Sequence, residues 1–165
     1  MSRTPPATPA TVALSAAGVQ FSVRSYAHNP RSGSYGAEAV EALGVDPGRV
    51  FKTLMVDVDG TLTVAVVPVS STLDLKALAA ATGCKRAALA DPKRAQRRTG
   101  YVLGGISPVG QRQPSPAVVD ESALNFASIL VSGGRRGFEI ELAPVDLIQA
   151  ISATVAPIAG LTPRA

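Results

Sequence analysis

The sequence predicts an α/β domain: a mixed β-sheet of about six to seven strands with helices packed around it. Three observations lead to this class. Runs rich in β-branched residues, as at 50–58 and 62–69, alternate irregularly with helical stretches such as 73–82. Asp59-Gly60 between the first two runs is a strong two-residue hairpin signal, so at least one strand pair is antiparallel. With 165 residues, 46% of them apolar, the chain can fill one core but is too short for two ordinary domains.

Taken in order, residues 1–7 read as a flexible tail. Thr8 followed by Pro9 reads as an N-cap with proline at the first helical position, and Gly18 closes that helix. Residues 19–26 alternate as a first strand. His28-Asn29-Pro30 and the Ser/Gly run 32–36 form a flexible loop, followed by a short helix over 35–43 that Gly44 closes. Asp46-Pro47-Gly48 is a turn. After the hairpin, the helix at 73–82 ends at Gly83, and 85–90 reads as a short strand. Asp91-Pro92 opens a helix that runs to Thr99. Val102-Leu103, a glycine pair and a proline-rich bend over 107–116 come next. Strands are expected at 117–120, 128–132 and 138–142, and Pro144 opens a last helix reaching about Ala153. The domain is thus expected to span 8–155, with 156–165 as a C-terminal tail.

Composition narrows the function. A net charge of +4 and a pI near 9.6 place polyanions among the partners. No apolar run is long enough to cross a bilayer, and Pro5, Pro6 and Pro9 stand where an export signal would need a charged and then an apolar stretch. The single cysteine, Cys84, has no internal disulfide partner; a cytoplasmic location without membrane association is expected. One histidine and one cysteine argue against a zinc site built from several such ligands, so no metal is expected. Three tyrosines, four phenylalanines and no tryptophan leave few platforms for stacking bases. Chemistry must therefore rest on lysine, hydroxyls, carboxylates, backbone amides or the substrate itself.

Several residues are candidates. Lys52, set in an apolar strand between Phe51 and Thr53, is either a solvent-facing strand lysine or an ammonium projecting into a cleft, where it would hold a phosphate or a developing oxyanion. Gly104-Gly105-Ile106-Ser107-Pro108 and Ser132-Gly133-Gly134-Arg135-Arg136-Gly137 are glycine turns that either shape the chain or aim N–H groups at an anion or carbonyl. Arg135 and Arg136 would suit RNA phosphates or simply be solvated. Asp57-Val58-Asp59-Gly60-Thr61-Leu62 is similar to the opening motif of haloacid-dehalogenase-type phosphatases. An Asp-Gly hairpin turn accounts for the same residues, and no acidic pair follows to complete a magnesium site. His28, Cys84 and Ser132 have no evident partners for a nucleophilic triad.

Together these segments resemble the YbaK family, relatives of the editing domain inserted in bacterial prolyl-tRNA synthetases. The resemblance runs from about residue 11 to 150. It is carried by Tyr26-Ala27-His28, Val50-Phe51-Lys52-Thr53-Leu54, Asp91-Pro92 with Ala95-Gln96-Arg97, Thr99-Gly100-Tyr101, Gly104-Gly105-Ile106-Ser107-Pro108 with Gly110-Gln111, and the 132–137 loop. It implies the editing-domain fold and deacylation of mischarged aminoacyl-tRNA without a cofactor. Cysteine on proline tRNA is the first expected substrate, and alanine or another small residue the alternative. The resemblance implies catalytic roles for Lys52 and Gly104. It implies a substrate pocket using Tyr26, Thr53, Gly105, Ile106, Ser107, Ser132, Gly133, Gly134 and Glu139; at the last position close relatives often carry aspartate. It also implies prolyl-tRNA synthetase as a partner. A cysteinyl ester could be released by attack of its own thiol, which suits a chain with no triad. Two other readings remain open: a non-catalytic tRNA- or synthetase-binding module, and the magnesium-dependent phosphatase.

Overall fold

In the computed structural model, which describes residues 7–28 and 35–160 (Tyr35 by its backbone alone), the chain opens with α1 (Pro9–Ala16). Thr8 Oγ1 accepts the Thr11 N–H at 3.2 Å and Thr11 Oγ1 accepts the Thr8 N–H at 2.9 Å, a reciprocal cap on orphan helix donors. Strand β1 (Ser22–Ser25) and helix α2 (Tyr35–Leu43) follow. Strands β2 (Phe51–Val58) and β3 (Thr61–Pro68) then pair over their full length. Asp59 and Gly60 between them both have positive φ, 48° and 91°, as a two-residue hairpin turn requires.

A two-residue strand β4 (Thr72–Leu73) leads into α3 (Leu75–Ala81), whose Asp74 cap accepts the Ala77 N–H at 3.0 Å. Strand β5 (Ala87–Leu89) precedes α4 (Pro92–Thr99), capped by Asp91 and closed by Gly100 in the left-handed conformation. Then come β6 (Ala117–Asp120), a 3₁₀ turn (Glu121–Asn125), β7 (Ile129–Arg135), β8 (Phe138–Leu142), α5 (Pro144–Ala150), β9 (Thr154–Ala156) and β10 (Ala159–Gly160).

The larger sheet has the order β5-β2-β3-β6-β9, with β3–β6 and β6–β9 parallel and the remaining pairs antiparallel. An antiparallel sheet β1-β8-β7 abuts it through a parallel bridge between Val50 and Leu130. Strand alternation buries both faces of the larger sheet. Phe51, Met55, Val64, Val66 and Val119 pack with α1, α5 and the smaller sheet, whereas Val56, Val58, Ala65, Val67 and Val118 pack with Leu78 of α3 and Ile158. No helix of the described residues is long and apolar enough to cross a membrane.

The expected mixed sheet with surrounding helices is present. Strands β4, β9 and β10 were not anticipated, because two or three residues carry no readable period. The ordered packing runs beyond the expected boundary at residue 155. β10 pairs with β4, Ile158 is fully buried, and the Asp120 carboxylate accepts the N–H groups of Ile158 and Ala159, both at 2.9 Å. The expected tail at residues 1–6, the loop at 29–34 and residues 161–165 lie outside the described residues.

Candidate active site

Strand β5 pairs with β2 only at Val56–Val58, and one further bond runs from the Ala90 N–H to the Met55 carbonyl at 3.0 Å. The first half of β2 therefore keeps an edge that β5 does not cover. A cavity of about 450 Å³ wraps this edge. Lys52 and Leu54 reach it from one face of the strand, and Phe51, Thr53 and Met55 from the other. Leu89, Ala90, Pro92 and Ala95 wall it along β5 and α4, and Leu103, Gly104 and Ile106 along the loop after α4. Glu139 of β8 joins them from the smaller sheet. A pocket that is mostly apolar with a few convergent polar groups is the usual form of a small-molecule site.

The polar groups are arranged for a ligand. Lys52 is half-buried, and burial holds its ammonium below the ordinary lysine pKa. Among the described residues it enters no ion pair. Glu139 is 9% exposed, and burial pushes its carboxyl up to about 8. Its Oε2 and the Thr53 Oγ1 are both buried without a hydrogen-bond partner among the described residues. Unpaired buried polar atoms are rare in native proteins and call for an explanation; two in one cavity wall suit a polar ligand group.

The remaining candidates divide. In the glycine pair, Gly104 lines the cavity with φ +82°, whereas a Cβ on Gly105 would lie 2.7 Å from Arg135 Cα. Gly105 therefore packs this loop onto the end of β7. Ile106 contributes to the cavity wall. Ser107 is fully buried outside it: its Oγ accepts the Val109 N–H at 3.2 Å and its carbonyl accepts Gln111 Nε2 at 3.0 Å, so it shapes the bend. Tyr26 is not in the wall but stands beside it. Burial, then the Glu139 and Glu38 carboxylates, push its phenol up to about 12.

The Ser132-Gly133-Gly134 loop also lies outside the wall. It forms a bulge where pairing jumps from Ser132–Glu139 to Arg135–Phe138. A Cβ on Gly133 would meet the Phe138 ring at 2.3 Å, and one on Gly134 would meet Tyr101 at 2.8 Å. Thr8 Oγ1 donates to the Gly133 carbonyl at 2.6 Å, tying α1 to this bulge. The Arg135 guanidinium sits 5.0 Å over the Phe138 ring, and Arg136 Nε donates to the Leu103 carbonyl at 2.9 Å.

The phosphatase-like residues are structural. Asp57 accepts the Gly60 N–H at 2.7 Å and pairs with Arg94 at 2.7 Å; Asp59 accepts the N–H groups of Lys85 and Arg86. Neither lines the cavity. No cluster of histidine, cysteine and carboxylate suited to a metal occurs among the described residues. His28 Nδ1 lies 3.1 Å from Glu38 Oε2, and Cys84 is a half-buried free thiol. The cavity residues that sequence reasoning missed, Leu54, Leu89, Ala90, Pro92 and Leu103, carry no chemical signal, since apolar residues read as core wherever they fall.

Comparison with known proteins agrees with this geometry. A family model described as an aminoacyl-tRNA editing domain matches residues 31–150. The chain is 41% identical over 124 residues to EbsC of Enterococcus faecalis, a protein named for Cys-tRNA(Pro)/Cys-tRNA(Cys) deacylation, covering 74% of this chain and 76% of that one. It is 33% identical over 104 residues to a proline–tRNA ligase of Moorella thermoacetica, covering 63% of this chain and 18% of the ligase. A crystal structure described as a trans-editing enzyme for prolyl tRNA synthetase superposes with a TM-score of 0.84 at 26% identity, over 96% of this chain and 99% of that one. The matched stretch contains β2, α4, the glycine-pair loop and Glu139, the parts that build the cavity, and on that ground the chain belongs to the aminoacyl-tRNA editing domain family.

Proposed function

We propose that this chain hydrolyses the ester of mischarged aminoacyl-tRNA, with cysteine on proline tRNA as the principal substrate. The observation that carries this reading is the cavity at the β2 edge, which among the described residues joins an ammonium outside any ion pair to two unpartnered buried polar atoms and holds no nucleophile–base pair. An aminoacyl ester is already activated and requires mainly positioning and stabilisation of a developing oxyanion. Lys52 and the Gly104 backbone serve the carbonyl oxygen. Thr53 Oγ1 and Glu139 Oε2 complete their hydrogen bonds on the substrate's α-amino group, and Tyr26 supports Glu139 from the rim.

For a cysteinyl ester the substrate's thiol supplies the nucleophile. Its sulfur forms a bond to the carbonyl carbon, the bond from that carbon to the ribose oxygen breaks, and the thiol proton passes to that oxygen, which leaves as the ribose hydroxyl. A thiolactone is released, and no protein nucleophile is needed. The sequence similarity to EbsC supports cysteine, and the similarity to a proline–tRNA ligase supports proline tRNA, with that synthetase as a cytoplasmic partner.

The test is deacylation of Cys-tRNA(Pro), Ala-tRNA(Pro) and Pro-tRNA(Pro) by wild type and Lys52→Ala. Cysteine is expected to be released selectively, with the rate in Lys52→Ala lower by about 100-fold or more, the usual effect of removing one oxyanion-stabilising group. Selective release of alanine would replace the substrate and keep the site. Absence of deacylation, with or without prolyl-tRNA synthetase, would leave a non-catalytic binding module.

A further inference from the structure

Half of the molecule's positive charge is concentrated beside the cavity. Between residues 76 and 112 the only carboxylate is Asp91, whereas Lys76, Lys85, Arg86, Lys93, Arg94, Arg97, Arg98 and Arg112 all fall there. These cations line different grooves with different charge. One groove, of about 640 Å³ below the β2–β3 turn, mixes Lys76, Lys85, Arg86 and Arg94 with Asp57, Asp59 and Asp91, so its charge is largely compensated in place. A second, of about 420 Å³, is lined by Arg94, Arg97 and Arg98, of which Arg94 is paired with Asp57 and Arg98 is bound to Gln113 and Ser115. A third, of about 490 Å³, runs between α4 and the chain at Gly100–Val102. It is lined by Lys93, Arg97 and Arg112 and by no carboxylate.

The groove at Gly100–Val102 presents its cations to solvent. Lys93 and Arg97 are four residues apart on α4 and share a face. The Arg112 N–H donates to the Thr99 carbonyl at 2.9 Å, which fixes Arg112 beside the helix end. Its side chain lies along Gly100, whose left-handed φ of +80° closes the helix there. Lys93, Arg97 and Arg112 are all exposed, and none forms an ion pair among the described residues. Arg98, by contrast, is bound to Ser115 and Gln113 on the far side of the helix.

A thin apolar lip separates this groove from the cavity. Val102, 55% exposed, borders the groove, and Leu103, 40% exposed, borders the cavity. The lip is held from both sides: the Leu103 N–H donates to Gln96 Oε1 at 3.0 Å, and its carbonyl accepts Arg136 Nε at 2.9 Å.

From this juxtaposition we propose that the groove formed by Lys93, Arg97 and Arg112 is a phosphate-binding track for the polynucleotide whose esterified 3′ end enters the cavity across the Val102–Leu103 lip. The inference rests on the deacylase reading for what occupies the cavity. Contacts to phosphates position a nucleic acid without reading its sequence and make its binding salt-dependent. The track thus supplies affinity for any tRNA acceptor end.

The experiment compares wild type with Lys93→Glu/Arg97→Glu/Arg112→Glu, its milder all-Gln counterpart, and Lys76→Glu/Lys85→Glu, on cysteinyl-tRNA(Pro) and on 3′-O-cysteinyladenosine. For the triple variants KM on the tRNA substrate is expected to rise about tenfold or more, and the slope of log kcat/KM against log salt to become shallower by about 2, as loss of three single-strand phosphate contacts implies. Turnover of the small ester is expected to match wild type, which also reports that the variant is folded. Lys76→Glu/Lys85→Glu is expected to leave both substrates unaffected. A wild-type KM and salt slope in both triple variants, or a loss confined to Lys76→Glu/Lys85→Glu, would overturn the proposal. If wild type cleaves neither ester, the deacylase reading fails on its own; affinity of the same variants for uncharged tRNA then decides the track, with unchanged affinity overturning it.

Discussion

Glu139 is the residue whose chemistry its surroundings alter most. At 9% exposure with an unpartnered Oε2, its carboxyl rises to about 8 from the ordinary value of 4.5. In the unfolded chain it ionises near 4.5, so between that pH and about 8 the folded state binds the extra proton. Its contribution to stability is complete below about 4.5 and is lost as pH rises to about 8, at up to about 1.4 kcal/mol per pH unit. Thermal melts across pH 5–8 are expected to show wild-type stability falling and Glu139→Gln nearly flat over the same range. Parallel curves for the two proteins would mean that the carboxyl titrates normally. Lys52 responds to burial in the opposite sense, its ammonium being the disfavoured form. Cation and carboxyl therefore sit in one cavity wall at neutral pH with the carboxyl largely protonated, ready to donate or accept when a polar ligand enters.

At the scale of elements, the loop from Tyr101 to Ser107 is set by contact between backbones. Gly105 has no positive φ, so any residue could adopt its conformation; the constraint is space, because a methyl there would meet Arg135 Cα at 2.7 Å and Arg135 C at 3.0 Å. Gly105→Ala is expected to push the loop off β7, destabilise the fold by about 1–3 kcal/mol as overpacking does, and lower deacylation through displacement of Gly104. Denaturant titration and single-turnover rates measure the two effects. An unchanged melt with full activity would show that the loop yields freely. Gly133 obeys the same logic against the Phe138 ring, while Gly134 is held both by its φ of +111° and by Tyr101, which makes both glycine loops joints between elements, with Gly104 the position that opens on the cavity.

At the scale of the whole molecule, the C-terminal segment closes the sheet through one buried carboxylate. Asp120 is 4% exposed, caps the 3₁₀ turn through Ser122, and receives the N–H groups of Ile158 and Ala159. Ending the chain at residue 155 would expose the cluster around Ile158 and strip two donors from Asp120. The combined loss is about 3 kcal/mol or more, and the expected fall in Tm is roughly 6–12 °C. Calorimetry of the shortened chain beside Asp120→Ala checks this; a melt equal to wild type would restore the segment to the status of a tail.

Much of this protein was determined by its sequence alone. Thr8-Pro9, Asp91-Pro92 and Asp59-Gly60 specify their caps and turn because those interactions join residues two to four apart, and runs rich in β-branched residues placed β2 and β3. The ordered set of motifs around Lys52, Gly104-Gly105 and the 132–137 loop likewise identified the family. Only the tertiary structure decided which of these residues share a cavity. Thr53 and Glu139 lie in strands of different sheets, and their unpaired oxygens exist only where β5 stops short of covering β2. Leu89 and Leu103 became cavity walls, Ser107 a bend-former and Gly133-Gly134 a packing bulge, through contacts between residues far apart in the chain. Local patterns record what each segment can form by itself. Which strand edge stays open, and which side chains then face it, depends on how far each neighbour extends, and no single segment encodes that.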